Sequence, residues 1–367
     1  MLIPLNCVAK VIGYFEISNI FVEKIFKMSK IVGLGNALVD LLVTLKDDNA
    51  LIQVGLPKGS MQLISQSKFQ EINKLFSTVE RHLTTGGSAA NTIQALARLN
   101  SQVGFIGKVG NDNYGNFFQT SFSTIGVSTQ LLTHTKSLSG VASTFITPDG
   151  ERTFGTYLGA AAQLNASDLD ESMFSGYDIL YIEGYLVQNH ELIEEAVKLA
   201  KRQNLTICLD LASYNIVTEN LDFFHYLVKE FIDIVFANEE EAYAFSSKND
   251  PIEALNYISE FCSIAIVKIG SQGSFIKSKQ ETYQIEPLPK RNVIDTTGAG
   301  DYYAAGFLHG LSKNTTLAQA GEIGSLLSGY IIEVVGTTLS SKAWLEIESQ
   351  IQQIIKVKLK PNKITTL

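Results

Sequence analysis

Four short apolar runs in the middle of the chain limit its fold more than any other feature. Ile179-Leu180-Tyr181-Ile182, Leu205-Thr206-Ile207-Cys208-Leu209, Asp233-Ile234-Val235-Phe236 and Ile264-Ala265-Ile266-Val267 begin 26, 28 and 31 residues apart. Their apolar residues are continuous rather than alternating, which marks strands covered on both faces. The intervals between them hold one helix each. Residues 191–202, for example, carry Leu192, Ile193, Val197, Leu199 and Ala200 at helical spacing with charges between. Residues 86–99 followed by 103–106 repeat the helix-then-strand order. Strand, helix and strand in regular succession predict βαβ units and a parallel sheet of the α/β class.

Two stretches break this rhythm. Residues 37–64 and 125–157 are rich in Thr, Ser, Gly and Val. Val141-Ala142-Ser143-Thr144-Phe145-Ile146, the turn signal Thr147-Pro148-Asp149-Gly150 and Arg152-Thr153-Phe154-Gly155-Thr156-Tyr157 read as a hairpin. Such strands predict a small second sheet, a lid over the carboxyl ends of the parallel strands. We therefore assign 37–64 and 125–157 to the lid, and 28–36, 65–124 and 158–345 to a large nucleotide-binding α/β domain. Residues 1–27 are set apart as an N-terminal extension, because Met28-Ser29-Lys30 leads directly into the strand-like Ile31-Val32-Gly33-Leu34-Gly35. Lys10, Glu16, Glu23 and Lys24 interrupt its apolar residues, unlike a secretory signal.

Composition narrows the function. Lys plus Arg number 29 and Asp plus Glu 37, a net charge of −8, which disfavours a nucleic-acid surface. Cys7, Cys208 and Cys262 are widely separated, which argues against a disulfide framework or a cysteine zinc site and suits a reducing cytoplasm. No window carries enough consecutive apolar residues to span a membrane.

Chemistry concentrates in four motifs. Asp295-Thr296-Thr297-Gly298-Ala299-Gly300-Asp301 leads into the helical pattern Tyr302-Tyr303-Ala304-Ala305-Gly306-Phe307-Leu308. Free amides at a helix start attract anions. A carboxylate at that point repels them, which makes sense if Asp301 accepts a hydroxyl proton while the amides hold a phosphoryl group. Helix-start amides are expected to depress the pKa of Asp301. Gly86-Gly87-Ser88-Ala89-Ala90-Asn91 opens a helix whose Asn91 points back at a ligand on the glycines. Asn238 and Glu241 share a face of the helix they open, and suit water-mediated Mg²⁺. Lys268-Ile269-Gly270-Ser271-Gln272-Gly273 can wrap phosphates or a ribose. Gly33-Leu34-Gly35-Asn36-Ala37-Leu38 is rejected as a dinucleotide fingerprint, since Leu38 fills the third glycine position.

In this order, these motifs resemble those of the ribokinase-like (PfkB) carbohydrate and nucleoside kinases, from about residue 28 to 336. The resemblance implies a three-layer α/β/α fold with a mostly parallel sheet and a β lid. It also implies transfer of the ATP γ-phosphate to a hydroxymethyl group with Mg²⁺. By position, Asp301 matches the catalytic base and Gly298, Ala299 and Gly300 the anion hole. Asp40, Asn36, Gly86, Gly87, Asn91, Tyr185 and Arg152 are assigned to the acceptor. Asn238, Lys268, Gly270, Ser271 and Gly273 are assigned to the nucleotide. Glu241 and Asn238 are placed near Mg²⁺, and Asp295, beside Thr297, matches a monovalent-cation (K⁺) site. Gly35-Asn36-Ala37-Leu38-Val39-Asp40 and Tyr181-Ile182-Glu183-Gly184-Tyr185 look nearest to adenosine kinases. The expected acceptor is therefore an adenosine-like nucleoside, with a sugar of the ribose or fructose kind as the alternative and a non-catalytic ligand-binding pseudokinase as the remote one. The other expectations are a small-molecule partner, no nucleic acid, no membrane, cytoplasmic residence and either a monomer or a homodimer joined through the lid.

Overall fold

The computed structural model describes residues 29–149, 151–279, 281–289 and 292–356. The expected extension 1–27, Met28 and the turn residue Gly150 lie outside these. The strands, in chain order, are β1 (Ile31–Leu34), β2 (Leu38–Thr44), β3 (Met61–Leu63), β4 (His82–Gly86), β5 (Val103–Gly110), β6 (Ser128–His134), β7 (Gly140–Ile146), β8 (Arg152–Tyr157), β9 (Ile179–Glu183), β10 (Thr206–Asp210), β11 (Ile234–Asn238), β12 (Ile264–Lys268), β13 (Ser274–Ser278) and β14 (Thr282–Ile285). The four runs singled out in the sequence are β9 to β12, the centre of a 9-stranded sheet in the order β14-β13-β12-β11-β10-β9-β1-β5-β6. Its strands from β12 to β6 pair in parallel, while β13 and β14 add antiparallel to one edge.

Alternate residues of each parallel strand feed opposite cores, which is why the strands lack polar positions. Ile31 and Phe105 pack with α3 (Ser88–Arg98), α10 (Ala299–Ser312), α11 (Leu317–Ile331) and α12 (Ser341–Lys356). Val32, Leu34 and Ile106 pack on the other side with α5 (His190–Arg202), α7 (Leu221–Glu230), α8 (Glu239–Ser246) and α9 (Pro251–Ile258). In α5 the buried Leu192, Ile193, Ala196, Val197 and Ala200 form one stripe, with Asn189 capping the amide of Leu192 at 3.1 Å. The remaining helices are α1 (Asn49–Val54), α2 (Gln66–Leu75), α4 (Asn113–Thr124) and α6 (Tyr214–Glu219). The fold is thus ribokinase-like, with helices on both faces of a mostly parallel sheet and a second small sheet.

The small sheet runs β3-β8-β7-β2-β4. The expected hairpin is present, with β7 antiparallel to β8 and Ile146 opposite Arg152. The lid boundaries read from sequence need correction at two places. β6 pairs in parallel with β5, so residues 128–134 lie in the large sheet rather than the lid. An edge strand has one partner and one wet side, so its alternating pattern looks the same on either sheet. Conversely, β4 pairs with β2, and α2 buries Phe69 and Ile72 against Val43, Phe145 and Tyr157 of the lid. Residues 65–86 therefore pack with the lid, not with the large domain. At the other end α12 reaches Lys356, past the expected limit at 345.

Candidate active site

The parallel strands end on one side of the sheet, where loops from different strands converge and ligands commonly bind. Glu183 ends β9, Asp210 ends β10, Asn238 ends β11 and Lys268 ends β12. With the starts of α3 and α10 the last three bound a cleft of about 1050 Å³, large enough for two ligands. Among the predicted residues the cleft wall includes Asp40, Gly87, Asn91, Tyr185, Asn238, Glu241, Lys268, Gly270, Ser271, Gly273, Gly298, Ala299, Gly300 and Asp301.

Asp301 lies in the first turn of α10. Its Oδ1 accepts a hydrogen bond from the Ser88 hydroxyl at 2.7 Å, and its Oδ2 accepts one from Asn91 Nδ2 at 2.8 Å. Thr92 fixes the same turn by donating to the Asp301 carbonyl at 3.1 Å. The carboxylate is therefore locked in orientation by α3, over two hundred residues earlier in the chain. Asn91 Oδ1 is buried without a protein partner. Contrary to the expectation from helix-start amides, the pKa of Asp301 is raised, to about 6. Burial pushes it up, the Asn91 and Ser88 hydrogen bonds pull it down, Asp210 raises it and Lys268 lowers it. Of the three anion-hole residues, Ala299 donates its amide to the Thr296 carbonyl at 3.1 Å, so that group is spent inside the turn.

Asp40 faces the cleft from β2, and burial raises its pKa to about 7, against the lowering pull of Arg152. Gly86, across the strand pair, does not reach the cleft. An alanine Cβ there would lie 2.5 Å from the Asp40 carboxyl carbon, so the missing side chain makes room for Asp40. Gly87 has φ 101°, and a Cβ on it would overlap the Asn36 carbonyl oxygen. Asn36, assigned from sequence to the acceptor, turns away from the cleft. Its Nδ2 and main-chain N donate to Glu183 Oε1 at 2.5 and 3.0 Å, and Glu183 Oε2 accepts from the Ala89 amide at 2.8 Å. Glu183 thus joins the loop after β1, β9 and the start of α3 behind the site, and burial raises its pKa to about 7.

At the nucleotide side, Asn238 and Glu241 form a reciprocal cap on α8: Asn238 N and Nδ2 donate to Glu241 at 2.8 and 2.7 Å, and Glu241 N donates to Asn238 Oδ1 at 2.9 Å. This is the capping-box arrangement, so the pair shapes the helix entry as well as the cleft wall. Burial and the nearby Asp210 raise the Glu241 pKa to about 7. Lys268 Nζ donates to Asp210 Oδ2 at 3.1 Å. Burial works against its charge, but Asp210 and Glu241 hold it protonated above the ordinary lysine range. Asp210 escaped the sequence reading, as did Ser88 and Glu183. Each was recoverable, since Asp210 ends a parallel strand and the other two sit inside quoted motifs. The apolar end of the cleft was not assigned from sequence: Pro287, Leu288, Pro289 and Val293 form it, with Gly329 of α11. Gly321 and Gly324 instead admit Ile285 and Tyr303 within the core.

The hard oxygen groups of Asp210, Glu239, Glu240 and Glu241 suit Mg²⁺ held through water. Among the described residues, no three His, Cys, Asp or Glu side chains converge tightly enough for a direct metal cage. Asp295 does not suit K⁺. Its Oδ2 accepts from Arg152 Nη1 and from the Gly336 amide at 2.7 Å, and its Oδ1 accepts from the Thr297 amide at 3.0 Å. Thr297 Oγ1 accepts from the same Arg152 nitrogen at 3.0 Å. Arg152 itself is therefore docked beside the cleft rather than lining it. No helix among the described residues is long and apolar enough to cross a membrane.

Known proteins share both the sequence pattern and the fold. A 5-dehydro-2-deoxygluconokinase of Clostridium beijerinckii is 28% identical over 282 residues, covering 71% of this chain and 82% of that protein. An uncharacterized sugar kinase of Archaeoglobus fulgidus is 26% identical over 66% of this chain and 95% of its own length. Among solved structures, a probable sugar kinase from Rhizobium etli superposes with a TM-score of 0.78 at 29% identity, covering 90% of this chain and all of its own (100%). The adenosine kinase from Sinorhizobium meliloti gives 0.76 at 30% identity, over 89% and 99%. The sequence profile of pfkB family carbohydrate kinases matches residues 59–344, and this chain belongs to that family of ATP-using phosphotransferases with an alcohol group as acceptor.

Proposed function

We propose that the protein transfers the γ-phosphate of ATP to a primary hydroxyl of a small, neutral sugar. The observation that carries this reading is the carboxylate of Asp301, oriented by Ser88 and Asn91 at a helix start inside the cleft. In the proposed reaction the acceptor hydroxyl loses its proton to Asp301 as its oxygen attacks the γ-phosphorus. The bond to the bridging oxygen of ADP then breaks. Phosphoryl transfer asks the protein mainly for position and charge neutralisation. Asp40 would hold ring hydroxyls of the acceptor, and the unpartnered Asn91 Oδ1 would accept another. The Gly298 and Gly300 turn and Lys268 would face the transferring group, because Lys268 Nζ lies against Gly300. Gly270, Ser271 and Gly273 would follow the nucleotide phosphates, with its base over Leu288 and Val293. Asp210 and Glu241 would hold Mg²⁺ through water, and its charge would neutralise phosphate oxygens.

A sugar-type acceptor rather than a nucleoside is favoured by the names of the curated relatives, an uncharacterized sugar kinase and a 5-dehydro-2-deoxygluconokinase, the latter named for a sugar acid. A neutral sugar is favoured by charge. Lys268 is the one cation on the cleft wall among the described residues, and it is committed to Asp210. A sugar acid would place its carboxylate among Asp40, Asp210 and Asp301 with nothing to pair it. A nucleoside remains the second reading, because Phe154 and Tyr185 offer ring faces on the cleft wall and an adenosine kinase is among the structural neighbours.

An ADP-release screen over neutral sugars, sugar acids and nucleosides at equal concentration tests the reading. Turnover with a neutral sugar at least tenfold above both other classes is the expected result. A nucleoside preference installs the second reading, and ATP binding with silence on every acceptor would mean a pseudokinase.

A further inference from the structure

The carboxylate that by resemblance should bind K⁺ is occupied by the protein's own cation. Arg152, the first residue of β8 in the lid, reaches across to Asp295 and Thr297, in the segment that leads into the Gly298–Asp301 turn. The pairing joins residues 143 apart in sequence and belongs to two different sheets' surroundings. Both side chains are nearly enclosed, at 14% and 7% exposure. The guanidinium also stacks over Phe154, 5.0 Å from the ring centre. K⁺ needs several oxygens whose lone pairs replace its water shell. Here the Asp295 oxygens accept N–H groups of Arg152, Gly336 and Thr297, and Thr297 Oγ1 also faces Arg152. Hydrogen-bond donors converge where a cation would need acceptors.

We propose that Arg152 is a positioning residue that replaces a monovalent cation, tying the lid to the segment before the anion-binding turn, so that the enzyme works without K⁺. Guanidinium is well suited to this task, being permanently charged, flat and weakly hydrated. One group then does two things: it neutralises Asp295 and holds Asp40, two strands away in the same small sheet, over the cleft. A bound K⁺ would do the first but not the second.

Only the rate part of the test rests on the phosphoryl-transfer reading. Hydrogen exchange of residues 140–149 and 151–157 is followed by mass spectrometry without nucleotide, for the parent, Arg152→Ala and Asp295→Asn, in tetramethylammonium and in K⁺ at equal ionic strength. Exchange should rise about tenfold in each variant, alike in K⁺ and in tetramethylammonium, and the parent should be the same in both salts. Phosphoryl-transfer rates of the parent should agree within twofold in the two salts, whereas Arg152→Ala should become at least threefold faster in K⁺. Unchanged lid exchange in Arg152→Ala overturns the proposal even if no acceptor is turned over. So does a parent enzyme activated fivefold or more by K⁺.

Discussion

A single methyl group at Gly86 should separate acceptor binding from nucleotide binding. Gly86 lies in β4 opposite Leu38 of β2, two positions along from the pair of Thr84 with Asp40. Its φ is not among the positive values, so alanine suits the backbone there. The obstacle is Asp40, whose carboxyl carbon and Oδ2 would stand 2.5 and 2.7 Å from the new Cβ. Carbon atoms rest about 3.5–4.0 Å apart, so the carboxyl must retreat by roughly 1 Å. A hydrogen bond of normal length does not survive that displacement. Losing the grip of a charged acceptor costs about 1.5–3 kcal/mol per bond, so Gly86→Ala should raise the acceptor KM by roughly 10- to 100-fold. The ATP KM should stay within about twofold, because the displacement lies on the lid side of Asp301. Steady-state kinetics with each substrate varied in turn gives the answer. An unchanged acceptor KM, or an equal rise for ATP, would refute the placing of Asp40 on the acceptor. The neighbouring Gly87→Ala is the contrast. It meets the backbone oxygen of Asn36 at φ 101°, so it should lower thermal stability and impair both substrates together.

Further consequences follow from the same geometry. Asp301→Asn should reduce turnover by about 10²-fold or more while ATP binding, measured by direct titration, is retained; near-normal turnover would remove Asp301 from the role of base. With its pKa near 6, Asp301 must lose its proton to act, so kcat/KM should climb as pH rises through about 6 and level above it. A profile already flat at pH 5 contradicts that environment. Glu183→Ala strands the buried amides of Asn36 and Ala89, and should cost about 2–5 kcal/mol in urea unfolding, since each unmet donor costs about 1–3 kcal/mol. The raised values of Asp40 and Glu183, both near 7 against ordinary values of 3.8 and 4.5, mean that the folded protein binds more protons than the unfolded chain between those limits. The ligand-free enzyme should therefore lose stability as pH rises from about 5 to 8. The buried His309, its pKa lowered to about 4, works the other way, so the fall is compared with that of Asp40→Asn and Glu183→Gln, which should shrink it; an unchanged fall in both would show that these carboxyls are not buried as described.

What the sequence disclosed, and what it withheld, divides along the range of the physics involved. The strands β9 to β12 were legible because coverage on both faces forces apolar residues at every position, a rule that acts within a few residues. The Gly298–Asp301 turn was legible for the same reason: a helix start with glycines and a carboxylate is a local object. The state of Asp301 was not local. The amides near it argued for a depressed pKa, but its burial is set by elements packed from elsewhere in the chain, and burial outweighs even the lowering hydrogen bonds from Ser88 and Asn91. Asn36 and Asp40 lie four residues apart on one motif, yet only the fold reveals that Glu183 takes the first and leaves the second facing the cleft. The lid edges failed through ambiguity, since β6 and β4 are edge strands that either sheet would accept until pairing chose. Acceptor identity is the most distant property. Cleft-wall residues such as Phe154 from the lid, Tyr185 after β9 and Ala212 after β10 come from three separate segments with no common motif. The chemistry of transfer fixes none of them, because phosphoryl transfer constrains the atoms around the hydroxyl and leaves the rest of the acceptor to whatever shape and charge the walls offer. That is why a motif nearest in look to nucleoside kinases can stand in a chain whose curated relatives carry the names of kinases for sugars and a sugar acid.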